Sequence, residues 1–192
     1  NPSLTPYFTH RVGVDYRFSN KETFTSFTGR VDVNYVQNPI TNAIWYGANG
    51  AQYSMPFNGP DSFNGQIYAN LNAPIAKSDF SIMNYTRLSF SRSSSFVGGS
   101  EATSRMSRYP DPMEDYYEFM NEFVSDHPNL LEADDFETNT TRNLTVTENL
   151  RFRYRSDAVE VTLGGRMNMN KSWYSIASLT GLTTWNNQIY ND

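Results

Sequence analysis

The chain has 192 residues, room for one all-β domain or for part of a large barrel. It has no cysteine, which excludes disulfides and thiolate metal sites, and its two histidines, His10 and His127, are too far apart to argue for a zinc site. A net charge of −5 without a basic cluster argues against a nucleic-acid partner, and no 18-residue apolar run is present to make a transmembrane helix.

Alternation of apolar and polar residues predicts seven strands. The first is about 8–18, with Val12, Val14, Tyr16 and Phe18 facing away from Arg11, Asp15 and Arg17. Ser19-Asn20-Lys21-Glu22-Thr23 makes a turn. The second is about 24–36, where Phe27, Val31, Val33 and Tyr35 alternate with Thr28, Arg30, Asp32 and Asn34. Residues 37–62 carry many Gly, Pro, Asn and aromatic residues and read as a long loop, with strand extensions around 40–46 and 52–57. The third strand is about 63–73, and Pro74, which cannot donate to a ladder, opens the turn 74–78. The fourth is about 79–93, where Phe80, Ile82, Leu88 and Phe90 share a face with Asn84. Residues 94–143 form the longest loop. The fifth strand is about 144–155 and alternates Leu144, Val146, Leu150, Phe152 and Tyr154 with Thr145, Thr147, Arg151 and Arg153. Ser156-Asp157 is a two-residue turn to the sixth strand, about 158–169. After the short link Asn170-Lys171-Ser172, a seventh strand of weaker alternation covers about 173–185.

Short turns follow strands one, three and five, and long connections follow strands two and four. Only the link at 170–172 breaks this rule. Tight turns at one rim and long loops at the other are how a transmembrane β-barrel is organised. The polar face is built of Asn, Gln, Thr, Ser and Arg, with little of the Lys and Glu that a soluble sandwich turns to bulk water. Aromatic residues make up 15% of the chain, enough for the girdles of such a barrel. The expected fold is therefore all-β: an antiparallel meander forming part of a transmembrane β-barrel, with one short helix, about 112–125, in the long outer loop. The chain opens at Asn1 without an initiator Met and closes without a terminal aromatic, so we expect an excerpt of a longer protein.

Several stretches resemble the C-terminal half of TonB-dependent outer-membrane receptors, closest to the Bacteroidetes-type β-barrel family. Asn1-Pro2-Ser3-Leu4-Thr5-Pro6 resembles the N-P-x-L-x-P motif leading into a barrel strand, with Tyr7 where that family usually places Glu. Asn20-Lys21-Glu22-Thr23-Phe24 resembles the following turn. Asn64-Gly65-Gln66 through Pro74-Ile75 resembles the next glycine-bearing strand and its Pro turn. Ser91-Arg92-Ser93 before a long insertion, Asn143-Leu144 and Tyr154-Arg155-Ser156-Asp157 complete the pattern. The resemblance covers most of the chain outside 94–141. It implies a 22-stranded barrel in the bacterial outer membrane, with a plug and a TonB-contacting segment beyond the residues seen here. It further implies uptake of a scarce solute such as a glycan, peptide or metal chelate. The partners implied are outer-membrane lipid, the rest of the barrel and its plug, TonB and a surface lipoprotein. Seven strands cannot close a barrel of that size, so this chain would be one wall. A non-transporting barrel for surface anchoring or secretion and a soluble β-sandwich binding module are the alternatives.

Candidate sites follow from this frame. Trp45, Tyr46, Tyr53 and Phe57 could stack on a sugar or peptide, or belong to the outer aromatic girdle. Asp111-Pro112 with Glu114 makes a helix start, and Met113, Tyr116, Tyr117, Met120, Phe123 and Val124 follow helical spacing. That stripe packs the helix onto the rim or offers Tyr116 and Tyr117 to a ligand or partner. Arg30, Asp32, Asn34, Arg151, Arg153, Glu160 and Arg166 are expected to face the lumen. Ten acidic residues and no Lys or Arg lie between 111 and 137. Glu132-Ala133-Asp134-Asp135 lacks the glycine of an EF-hand loop and reads as a solvated acidic loop, with no metal or cofactor expected. No G-x-S-x-G element and no cysteine nucleophile is present, so no enzyme activity is expected. The sequons at Asn84, Asn139, Asn143 and Asn170 are taken as incidental.

Overall fold

Period-two alternation gives each strand two unlike faces, and unbroken ladders keep those faces in step from strand to strand. A computed structural model describes residues 4–46, 52–75, 78–98, 125, 136–176 and 185–191. Its strands are β1 (Phe8–Asn20), β2 (Thr25–Gln37), β3 (Ile40–Tyr46), β4 (Gln52–Asn58), β5 (Ser62–Pro74), β6 (Phe80–Gly98), β7 (Phe136–Arg155), β8 (Glu160–Tyr174) and β9 (Trp185–Asn191). The chain is all-β, with one sheet in the order β1-β2-β5-β6-β7-β8-β9 and every neighbour along that path antiparallel. The sheet is not closed, and β1 and β9 stand at its two ends.

The registers run without bulges, so rows can be followed across the sheet. Val14, Val31, Ile67, Leu88, Val146 and Met169 form one row on one face. Asp15, Arg30, Tyr68, Arg87, Thr147 and Asn168 form a row on the opposite face. The apolar face is left open to its surroundings: Val12 is 65% exposed and Leu163 67%. A water-soluble sandwich would bury such residues against a second sheet.

The connections after β1, β5 and β7 leave the sheet at one rim and are short, and those after β2, β6 and β8 leave it at the other. Asn20 Oδ1 accepts the N–H groups of Glu22 (2.8 Å) and Thr23 (3.2 Å), the side-chain turn that Asn favours. Phe24 leaves this turn at φ 51°, a left-handed backbone that costs a non-glycine residue roughly 1–2 kcal/mol.

The expected link at 170–172 is corrected. Asn170, Lys171 and Ser172 lie inside β8, paired with Thr145, Leu144 and Asn143 of β7. Trp173 and Tyr174 end β8 and Trp185 begins β9, in place of a seventh strand over 173–185. Turn-like composition is overridden by the β7 ladder, and the exception to the short-and-long rim rule disappears. The long loop is also shorter than expected. Residues 94–98 extend β6 and 136–143 extend β7, with Gly98 opposite Phe136. The sixth predicted strand starts later than expected, because Ala158 and Val159 belong to a turn in which Ser156 N donates to Val159 O at 2.9 Å. The helix expected over 112–125 lies, except for Ser125, outside the described residues, as does the acidic run 132–135.

Candidate functional site

The registers place Arg30, Asp32, Asn34, Arg151, Arg153, Glu160 and Arg166 on a single face of the sheet. Arg30 grips Asp32 with two hydrogen bonds, Nε to Oδ2 at 2.6 Å and Nη2 to Oδ1 at 2.9 Å, and lies 3.8 Å from Asp15 Oδ1. Arg11 Nε donates to Asn34 Oδ1 at 3.3 Å, and Arg87 Nη2 donates to Gln66 Oε1 at 3.0 Å. Glu160 stands between two arginines, 3.3 Å from Arg153 Nε and 3.7 Å from Arg155 Nε. The Arg153 contact is an ion pair without hydrogen-bond alignment. Exposed pairs of this kind contribute little to stability, so they hold side chains in place more than they stabilise the sheet. A cavity of about 240 Å³ opens beside Asn70, Tyr85, Asn149 and Arg151. Amides, hydroxyls and guanidiniums spread over six strands make a hydrogen-bonding wall suited to hydrated solutes.

The opposite rim of the molecule carries the apolar core. β3 and β4 pair as a hairpin, and Ala43 and Ile44 of β3 run parallel to Phe96 and Val97 of β6. Ala43, Trp45, Met55, Phe57, Phe96 and Phe136 are buried together there. The Trp45 ring stacks on Tyr53 at 6.1 Å and meets Phe136 edge-on at 5.9 Å. The hairpin base is tied to the chain leading into β1. Thr5 N donates to Asn58 Oδ1 at 2.8 Å, Asn58 Nδ2 to Thr5 O at 3.0 Å, and Asn38 Nδ2 to Thr5 Oγ1 at 2.6 Å and Pro6 O at 3.2 Å. Gly59 N donates to Pro39 O at 2.8 Å, and a Cβ at 59 would stand 2.6 Å from the Thr41 methyl, so any larger residue would have to displace Thr41.

This packing corrects two of the aromatic binding candidates. Trp45 is 1% exposed and Phe57 4%, so both are core residues of the hairpin and not surfaces on which a solute could stack. Alternation within the hairpin sends them to one face, and the β6 and β7 extensions cover that face. Tyr46 is 53% exposed and remains available at the rim, while Tyr53 is half-buried under the stack with Trp45. Tyr116 and Tyr117 lie outside the described residues.

Three polar clusters stand out that the alternation argument did not single out. In the first, Asn84 and Thr86 both hydrogen-bond Glu148 in the middle of the apolar face, Thr86 Oγ1 donating to Oε2 at 2.6 Å. In the second, the Tyr35 hydroxyl and the Asn38 N–H (3.0 Å) both donate to Asp61 at the long-loop rim. The third is the pair Arg92 and Arg142, directly opposite each other on β6 and β7. A signal for two of them was present. Thr86 and Arg92 fall in phase with Leu88 and Phe90, and Arg142 and Glu148 with Leu144 and Val146. Polar residues in an apolar phase mark a site that breaks the pattern.

No family model, curated protein or solved structure matches the chain.

Proposed function

We propose that the chain is one wall of an outer-membrane β-barrel of the TonB-dependent receptor kind, through which a scarce solute such as a glycan, peptide or metal chelate enters the cell. The observation that carries the reading is the single-layer sheet with an uncovered apolar face and a hydrogen-bonded polar face. Lipid would cover the first face and a water-filled lumen with its plug the second. The sorting of short and long connections onto opposite rims supports the same reading, in which the β3–β4 hairpin lies on the outer side. The transport part of the proposal rests on the order of motifs from Asn1-Pro2 to Ser156-Asp157. In it, the remaining strands of the barrel pair with β1 and β9, TonB energises uptake, and a surface lipoprotein docks on the outer loops.

The test is solution behaviour of the 192-residue chain. Size-exclusion chromatography and circular dichroism should show aggregation in plain buffer and a β-rich, dispersed species in detergent micelles or phospholipid vesicles. A monodisperse, β-rich monomer in plain buffer would overturn the membrane reading.

A further inference from the structure

Two guanidiniums facing each other across a ladder repel, and β-sheets rarely keep like charges directly opposed. Arg92 and Arg142 are such a pair, both exposed. Among the described residues neither has a carboxylate within ion-pair distance, although the Asp61 carboxylate lies near enough to Arg92 to feel its charge. They sit on the apolar face, in the row His10, Tyr35, Phe63, Arg92, Arg142 and Trp173. With Phe63, Phe90 and Trp173 they line an open cavity of about 520 Å³. Lys171 adds a third cation, 5.1 Å from the centre of the Trp173 ring. The next row towards the short turns is Val12, Val33, Gly65, Phe90 and Leu144. The next row towards the long loops holds Ser94 and Thr140, whose hydroxyls share a hydrogen bond of 3.1 Å. The two arginines therefore interrupt the apolar face, between the open rows of Phe90 and Leu144 and the buried hairpin core of Trp45, Phe96 and Phe136.

We propose that Arg92 and Arg142 bind the phosphate headgroup of an anionic lipid lying against the apolar face. The proposal rests on the membrane reading above. A phosphate between the two guanidiniums would remove their repulsion and accept from both forks, a geometry that arginine matches better than lysine does. The aromatic walls stand where a bilayer's interfacial belt places Trp and Tyr, and the acyl chains would run down over Phe90, Leu144 and Val146. A free anion has no use for those apolar rows, which is the argument for a lipid.

The experiment folds the chain into dodecyl maltoside micelles, adds phosphatidic acid and counts bound lipid by native mass spectrometry. The double variant Arg92→Gln/Arg142→Gln is compared with a charge-matched control on the opposite face, Arg17→Gln/Arg87→Gln. The expected result is one retained phosphatidic acid in the parent and control, with retention at least about tenfold weaker in the first variant, the loss of one charge-assisted contact. Equal retention in all three β-rich proteins would overturn the lipid site while leaving the membrane reading standing. Displacement by inorganic phosphate at the same concentration as the lipid would show an anion site only and overturn the lipid assignment. A chain that stays monomeric and β-rich without detergent, and retains no phosphatidic acid, would overturn both.

Discussion

Asp61 shows how one residue can fasten a loop. It lies just before β5 and accepts from the Tyr35 hydroxyl at the end of β2 and from the Asn38 amide at the start of the hairpin. These donors, Tyr35 first, favour the ionised form and hold its carboxyl below the usual carboxylate range. A carboxyl depressed on folding stabilises the fold above its unfolded value, about 3.9, and that contribution is lost as pH falls through the lower folded value. Tyr35→Phe removes the leading donor and leaves the Asn38 amide. The Asp61 midpoint should then rise towards the ordinary range, followed by the carboxyl carbon shift in an NMR titration. An unchanged midpoint would show that the hydroxyl does not hold this carboxylate. Asn38 has its own reason to be asparagine. It adopts φ 56°, a left-handed conformation that asparagine tolerates better than most residues, while its side chain reaches Thr5 and Pro6.

At the scale of elements, the β3–β4 hairpin is held from one side by β6 and from beneath by its own aromatic cluster. Replacing a buried Trp by Ala costs about 3–5 kcal/mol where the cavity cannot collapse. Trp45 is packed at the rim and not within the main ladders, so Trp45→Ala should free the hairpin without melting the sheet. Amide hydrogen exchange in micelles should quicken across β3 and β4 and at Phe96 and Val97, and stay unchanged across β1 and β2. Uniform acceleration over all strands would mean that the cluster supports the whole sheet. The hairpin also shows where reading from sequence stops. The alternation of Val12 to Phe18 and of Phe27 to Tyr35 is complete within a dozen residues, so the faces of β1 and β2 were legible there. The turn at Asn20 was legible for the same reason, since its hydrogen bonds reach only two and three residues ahead. The pairing of Ala43 with Phe96 joins residues far apart in the chain, and nothing local encodes it. That contact decides whether Trp45 and Phe57 are covered. The β6 and β7 extensions were hidden differently: Ser94 and Ser95 on one side and Thr138 to Thr141 on the other are loop-like in composition and become strand because each supplies the other's ladder.

For the whole molecule, the unusual quantity is the apolar area left outside any core, since a lone sheet in water would expose it at high cost. A lipid-facing and a lumen-facing side would make opposite demands on charge, and neighbouring residues of one strand can test them. Ile67 lies in the middle row of the apolar face, between Val31 and Leu88, and Gln66 lies beside it on the polar face, between Asp32 and Ser89. A lysine at the midplane of a lipid-facing wall costs about 2–4 kcal/mol, whereas lumen positions tolerate charge. Ile67→Lys should therefore lower the urea midpoint of the chain folded in phospholipid vesicles, and Gln66→Lys should leave it nearly unchanged. In water the order would shrink or reverse, because Ile67 is 47% exposed and a lysine there would meet solvent. Glu148 sets the scale of what the apolar face accepts: a carboxylate near the same row persists there with Thr86 and Asn84 as donors, a provision that a lysine at 67 would lack. Equal midpoints for Ile67→Lys and Gln66→Lys in vesicles would mean that the two faces meet the same medium, and the wall assignment would fall with that result.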